Sequence, residues 1–355
     1  MIQTSISISN KSHLSEVISW LRFPLIFFII MLHCYSVTRL EGNCEVYFKI
    51  LYPFSLWIGE TGVPGFFFIS GFLFFLSSKT YKQKIKSRLN TLLIPYFLWN
   101  GAILLVYLIA YLAGSPQEIN HHNIANYTLF DYIRLFWDRG SYDNGNFVPL
   151  LCPLWYIRNL FLMVLISPLL FYVLRFTREL FLVTIAIWWL ATFHNAFIPQ
   201  TILFFCLGAY FSIFAINPME FFSKYKHLIL ILFVIFGVGD IIVHTMIENQ
   251  YNLQIHRISL ILNIPLLFLL ASFFVRNNCT SQTLSNASFI VFCIHYPIVI
   301  IIRKMCVALF PDATDFIHIL LYFVSVIFST FFSLMFYQIL KKFFPKTNCL
   351  LSGNR

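Results

Sequence analysis

The sequence predicts an all-α, polytopic transmembrane helix bundle of about ten spans with both termini in the cytoplasm. Three observations carry that reading. Hydrophobic residues fill 59% of the 355 positions and charged residues 11%, against roughly 25% charged in soluble domains. The apolar runs are helix-length and do not alternate in polarity, which excludes an outer-membrane barrel. Lys and Arg collect on alternate connections, as the positive-inside rule requires. The net charge of +10 therefore sets topology and does not indicate nucleic-acid binding. Residues 1–355 read as one integral-membrane domain.

Residues 1–16 are polar and read as a short cytoplasmic tail. The first span runs from about Ile18 to Val37. It is not a signal peptide, because no small-x-small cleavage site follows and Arg22 lies inside it. Arg22 and His33 share one helix face, since eleven residues at about 100° each make three turns plus about 20°. They lie about 16 Å apart along the axis, roughly half a bilayer core. An arginine within a span costs roughly 2.5–3.5 kcal/mol and usually marks function. The plain alternative is a snorkelling arginine and a histidine bonded to a neighbouring helix.

The second span, about Leu56 to Leu76, contains Glu60, Gly62, Pro64, Gly65, Ser70 and Gly71. Its glycines and Pro64 let helices approach closely or break the helix beside a cavity. Lys79 to Arg88 then carries five positive charges and no acidic residue, the strongest inside signal in the chain. The third span covers about Leu89 to Leu112. Residues 113–152 form a long outer loop, too long for a simple connector, and read as a lid or binding loop.

The fourth span, about Leu154 to Leu174, contains Arg158. Shorter runs follow at about Leu180 to Phe193 and Ile198 to Ile216. The seventh, about Leu228 to Ile247, places Asp240 and His244 at i and i+4. The eighth covers about Ile258 to Val275. The ninth, about Ala287 to Ile302, carries His295 and Pro297, and the tenth is about Phe316 to Leu340. Residues 341–355 read as a cytoplasmic tail. This topology puts fifteen of the 24 Lys and Arg inside. The eight cysteines are scattered singly without metal-ligand spacing. Cys44 and Cys152 both fall outside, where a disulfide is chemically allowed. Asn126-Tyr127-Thr128 is a glycosylation sequon.

Six blocks in order then carry a resemblance. They are Arg22-x10-His33; Phe66-Phe67-Phe68-Ile69-Ser70-Gly71-Phe72-Leu73; Arg88 to Tyr96; Leu154-Trp155-Tyr156-Ile157-Arg158-Asn159-Leu160; Leu207-Gly208-Ala209-Tyr210; and Phe289 to Pro297. Spread over residues 20–300, they resemble the integral-membrane acyltransferase-3 family, whose members act on glycans. One departure is visible: Arg88 is kept, but no second arginine follows it before Pro95.

The resemblance implies transfer of an acyl group, usually acetyl from acetyl-CoA, to a hydroxyl of a cell-surface or lipid-linked glycan. The setting is a cell membrane, the bacterial cytoplasmic membrane above all. No permanently bound cofactor and no metal is implied; acyl-CoA is a substrate. A neutral histidine near pH 7 can serve as base for the hydroxyl and acid for the thiolate, a role that falls to His33. Glu60 and His295 are expected to support it, Glu60 by a hydrogen bond that fixes the imidazole tautomer. Arg22 and Arg88, with Lys84 and Lys86, are the expected donor-phosphate contacts. Trp137 and Tyr142 are candidate sugar-stacking surfaces, with Trp155 and Arg158 beside them and Asp131, Asp138 and Asp143 as hydroxyl acceptors. Two other readings use the same residues. A transporter or flippase for a sugar or lipid-linked glycan would use the buried charges as a proton path. A non-catalytic assembly subunit would not need Arg22 and His33 on one face.

Overall fold

The computed structural model describes residues 8–35, 45–115, 117–119, 122–140, 147–194, 196–246, 252–311 and 313–353. Among the described residues, each of the ten apolar runs contains a helix. Among the described residues, eight segments are long and apolar enough to cross a membrane. They are α1 (Ile8–Cys34), α2 (Glu45–Tyr52) continuing into α3 (Gly62–Leu76), α4 (Tyr81–Arg88) continuing into α5 (Ile94–Leu112), α7 (Trp155–Thr177), α11 (Lys226–Met246), α12 (Asn252–Arg276), α13 (Gln282–Leu309) and α14 (Asp315–Phe343). The loop after α5 contains α6 (Leu129–Arg134). The fifth expected span is α8 (Glu179–Ala191), whose 13 residues reach only about 20 Å. The sixth is α9 (Phe197–Ile213), bent by 100° into α10 (Pro218–Lys224).

The chain divides into two compact units. One comprises Met1–Ser77 with Phe204–Tyr337; the other comprises Ser78–Leu203 with Gln338–Arg355.

In the first unit α1 is the central helix. It buries Val17, Leu21, Leu25, Ile26, Ile29 and Ile30, which spread over more than half its circumference, the pattern of a core helix. The helix extends to Ile8, so the expected N-terminal tail is in part its first turns, and His13 Nε2 lies 2.9 Å from Ser272 Oγ. Gly62 meets α1 so closely that a Cβ there would sit 2.7 Å from the Leu25 carbonyl. Gly71 and Gly208 face each other's helices: a Cβ on Gly71 would strike the Phe205 carbonyl, and one on Gly208 the Phe68 carbonyl. These glycines exist because two backbones touch there.

In the second unit the long loop is folded. A two-residue antiparallel pair, β1 (Glu118–Ile119) and β2 (His122–Asn123), precedes α6. Ile119, Ile124, Leu135 and Leu150 make a small core against Ile103, Leu104, Tyr107 and Leu108 of α5. The expected C-terminal tail is also folded. Its helix α15 (Pro345–Ser352) packs on α5, with Trp99 Nε1 donating to the Leu351 carbonyl at 3.2 Å and Gly353 in the left-handed region beside Thr91.

Candidate functional site

The α1–α13 seam carries the first group of site residues. Ser19 Oγ and Ser285 Oγ lie 2.9 Å apart, which fixes one face of α1 against α13. Counting about 100° per residue from Ser19, Arg22 and His33 fall within about 60° of that face. The His33 ring meets His295 at 5.3 Å between centroids and Tyr296 edge-on at 5.0 Å. His295 is fully buried. Its Nδ1 lies 2.7 Å from the Phe292 carbonyl and 3.3 Å from the Val291 carbonyl. A carbonyl only accepts, so Nδ1 carries the hydrogen and a neutral ring keeps its lone pair on Nε2. That nitrogen is buried with no hydrogen-bond partner among the described residues. The seam thus presents an unspent basic nitrogen beside a second imidazole.

Arg22 and Arg88 are both partly buried, and neither has a side-chain hydrogen bond or ion pair among the described residues. Arg22 belongs to the first unit and Arg88, at the end of α4, to the second. Lys84 is partly buried beside Arg88, and Lys86 is exposed. Lys86 lines an open depression of about 390 Å³ with Lys79, Gln83, Ser87 and Asn90. Guanidinium groups left without a counter-ion in apolar segments suit an anionic ligand.

Glu60 is not bonded to His33. Its Oε2 lies 3.1 Å from His256 Nε2, and this corrects the expected Glu60–His33 hydrogen bond. The physical reason is the backbone at residues 53–61, which runs as a π-helical segment, Pro53–Ile58, and a 3₁₀ turn, Gly59–Thr61. That turn sets Gly59 against α1, with its Cβ position 3.0 Å from the Phe28 carbonyl, and leaves Glu60 to α12.

Behind Glu60 lies a buried polar network. His256 Nδ1 is 2.8 Å from Asp240 Oδ2, and Asp240 Oδ1 is 2.9 Å from His244 Nδ1. The Tyr52 and Ser259 hydroxyls each donate to Asp240 at 2.8 Å. Both ring nitrogens of His256 face carboxylate oxygens, so the imidazolium form satisfies both contacts. No three His, Cys, Asp or Glu side chains among the described residues are arranged to hold a metal ion. Sequence reasoning finds the Asp240/His244 pair but misses His256, because the eighth span is drawn from Ile258. Helix α12 begins at Asn252 and carries His256 and Arg257 into the interior. A basic pair at the edge of an apolar run was the available signal.

The expected acceptor residues divide differently. Arg158 is buried and spends its donors within the protein: Nη1 on the Trp137 carbonyl at 2.5 Å, Nη2 on the Phe147 carbonyl at 2.9 Å, and Nε on Asn159 at 3.1 Å. Its guanidinium also lies over the Trp137 ring at 4.6 Å. Trp155 is buried and stacks on Phe197 at 3.8 Å. Arg158 and Trp155 thus hold the loop and the helix pair together. Trp137 remains 48% exposed. Asp138 pairs with Arg134 at 2.9 Å. Asp131 caps α6, where the Thr128 hydroxyl donates to it at 2.7 Å and holds its carboxyl below the usual carboxylate range. Tyr142, Asp143 and Cys44 lie outside the described residues.

With this geometry in hand, the comparisons with known proteins are specific. Residues 16–338 match the model of a family described as an acyltransferase domain. Over 176 residues the chain is 28% identical to the succinoglycan biosynthesis protein ExoH of Rhizobium meliloti (strain 1021). That alignment covers 46% of this chain and 44% of the relative, so the match spans less than half of that protein's length. No solved structure matches the chain.

Proposed function

The chain belongs to the acyltransferase domain family, and from that premise we propose that it is a multi-pass membrane O-acyltransferase. It moves an acyl group, acetyl from acetyl-CoA, to a hydroxyl of a cell-surface or lipid-linked glycan in the bacterial cytoplasmic membrane. The observation that carries this reading is the α1–α13 seam, where the His33 and His295 rings meet at 5.3 Å between centroids, tilted by 34°, on the stripe that also bears Arg22.

The chemistry follows from the residues. The acceptor oxygen attacks the thioester carbonyl, the new ester C–O bond forms and the C–S bond breaks. His33 takes the hydroxyl proton during attack, since a neutral imidazole is both base and, once protonated, acid near pH 7. His295, with its Nε2 unspent, orients or shares that proton. In the first unit Arg22 is the candidate contact for a donor phosphate; in the second it is Arg88, with Lys84 and Lys86 adding charge. A glycan acceptor is supported by the relative, which is named a succinoglycan biosynthesis protein, and exposed Trp137 offers a stacking face for a sugar.

The test is acetyl transfer by the purified protein. Radiolabelled acetyl-CoA and surface glycan from cells lacking the gene should give an alkali-labile acetylated glycan. Label that never leaves the CoA fraction would refute the reaction.

A further inference from the structure

The folded loop of the second unit forms a cleft of about 270 Å³, lined in part by Asn126, Tyr127, Asp131, Arg134, Asp138 and Arg139. Some of these groups are spent on the fold. Asp138 is buried and uses both oxygens: Oδ2 accepts from Arg134 at 2.9 Å and Oδ1 from the Gly140 N–H at 2.9 Å. Asp131 Oδ2 accepts the Thr128 N–H and O–H. Three polar groups in the lining are unspent. The side chains of Arg139 and Asn126, and Asp131 Oδ1, have no hydrogen bond among the described residues. The backbone holds each of them in place. The Arg139 N–H donates to the Val148 carbonyl at 2.8 Å, Asn126 ends the 3₁₀ turn Ile124–Asn126, and Asp131 is in the first turn of α6. The small core of Ile119, Ile124, Leu135 and Leu150 lies beneath them.

A guanidinium only donates, a carboxylate only accepts and a primary amide does both. A hydroxyl also does both, so a ring with neighbouring hydroxyls satisfies all three groups at once. The charge agrees. Arg134 and Arg139 balance Asp131 and Asp138, and the one histidine in the lining, His122, stands exposed near Asp131. An excess of one sign would suit a charged ligand; a balanced cleft suits an uncharged one. Tyr127 adds a half-buried ring, tied by its hydroxyl to the Ile119 carbonyl at 3.2 Å and packed on Tyr132. Its apolar body can carry the C–H face of a sugar. The volume falls just below the roughly 300–1,000 Å³ of drug-sized ligand sites, which suits a sugar unit better than a CoA nucleotide. We propose that this cleft is a saccharide-binding subsite that holds an uncharged sugar unit of the acceptor glycan. Arg139 and Asn126 donate to hydroxyl oxygens, Asp131 Oδ1 accepts a hydroxyl hydrogen, and Tyr127 lies against the ring. The glycan's role as acceptor rests on the function proposed above; the cleft itself binds and makes no bond. Arg134 and Asp138 position the backbone that carries Arg139 and need not touch the sugar.

The experiment measures binding of neutral oligosaccharides, released from surface glycan of cells lacking the gene, to the full-length protein in detergent without acetyl-CoA. Arg139→Ala and Asn126→Ala should each weaken binding by about three- to tenfold, the worth of a hydrogen bond. Melting temperature and acetyl-CoA affinity should stay unchanged, because neither side chain bonds within the fold. In transfer assays the same variants should raise the KM for glycan and leave kcat alone. Arg139→Lys keeps the charge but loses the planar fork, so it should also weaken binding, and it decides the matter if Arg139→Ala does not fold. An oligogalacturonide should bind no more tightly than the neutral probe. No oligosaccharide binding by wild type, or wild-type affinity in the folded Arg139 and Asn126 variants, would overturn the subsite. Tighter binding of the oligogalacturonide, lost at high salt, would overturn its assignment to an uncharged sugar. Arg139-dependent binding by a protein that transfers no acetyl would instead leave the cleft standing and sink the acyltransferase reading.

Discussion

The rings of His33 and His295 lie 5.3 Å apart, on neighbouring helices, and the Nδ1 of His295 is committed to backbone carbonyls. The second imidazole is thus held in one tautomer with its basic nitrogen unspent. Such a pair gives a hydroxyl proton two adjacent places to go, and only one of them is fixed by the backbone.

The pair has unequal members. His33→Ala should abolish acyl transfer, by about 10²–10⁴-fold for a lost acid–base group, at normal membrane abundance. His295→Ala should lower turnover less, because His33 still receives the proton. Turnover of both variants, normalised to folded protein by size-exclusion chromatography, checks this. Full activity in His33→Ala would remove it from the mechanism.

Arg22 and Arg88 should act on donor binding. Arg22→Lys should already weaken acetyl-CoA affinity, since a point charge cannot reproduce a planar bidentate contact. Titration calorimetry in detergent reads the effect. Unchanged affinity in both Arg22→Ala and Arg88→Ala would return the two residues to topology signals.

Much of this was legible in the sequence. The shared face of Arg22 and His33, the close-packing glycines of the second span and the apolar runs come from period and composition, which local structure preserves, while Gly208 was singled out only by the resemblance. Glu60, His256 and Arg158 show where that reading ends. Glu60 pairs with His256, 196 residues away; His256 also meets Tyr52, 204 residues away; and Arg158 reaches carbonyls 11 and 21 residues away, and no periodicity encodes such pairings. The π segment at Pro53–Ile58 turned Glu60 to a different neighbour than a regular helix gives. The folded loop and the docked helix α15 were read as loop and tail because their cores are only a few residues each.

Arg158→Ala should loosen the loop rather than change acceptor choice. It strips donors from the Trp137 and Phe147 carbonyls, at about 1–3 kcal/mol for each buried group left unsatisfied. Limited proteolysis should cut within residues 113–152 faster than in wild type. Protection equal to wild type, together with an altered acceptor affinity, would restore Arg158 to ligand binding.

Gly71→Ala and Gly208→Ala should each destabilise the first unit by about 1–3 kcal/mol, the usual cost of overpacking. The added methyl would strike a backbone carbonyl of the facing helix, which cannot swing aside as a side chain can. A lowered melting temperature in detergent is the expected result, and one equal to wild type in both variants would mean that the helices separate at no cost.

Above all of these stands one assay of the seam itself. Wild-type and His33→Ala proteins, purified side by side, are given labelled acetyl-CoA and surface glycan from cells lacking the gene. Acetyl ester should accumulate on the glycan with wild type and stay at background with His33→Ala, while both bind acetyl-CoA equally. Equal ester formation by the two proteins, or none by either, would contradict the account.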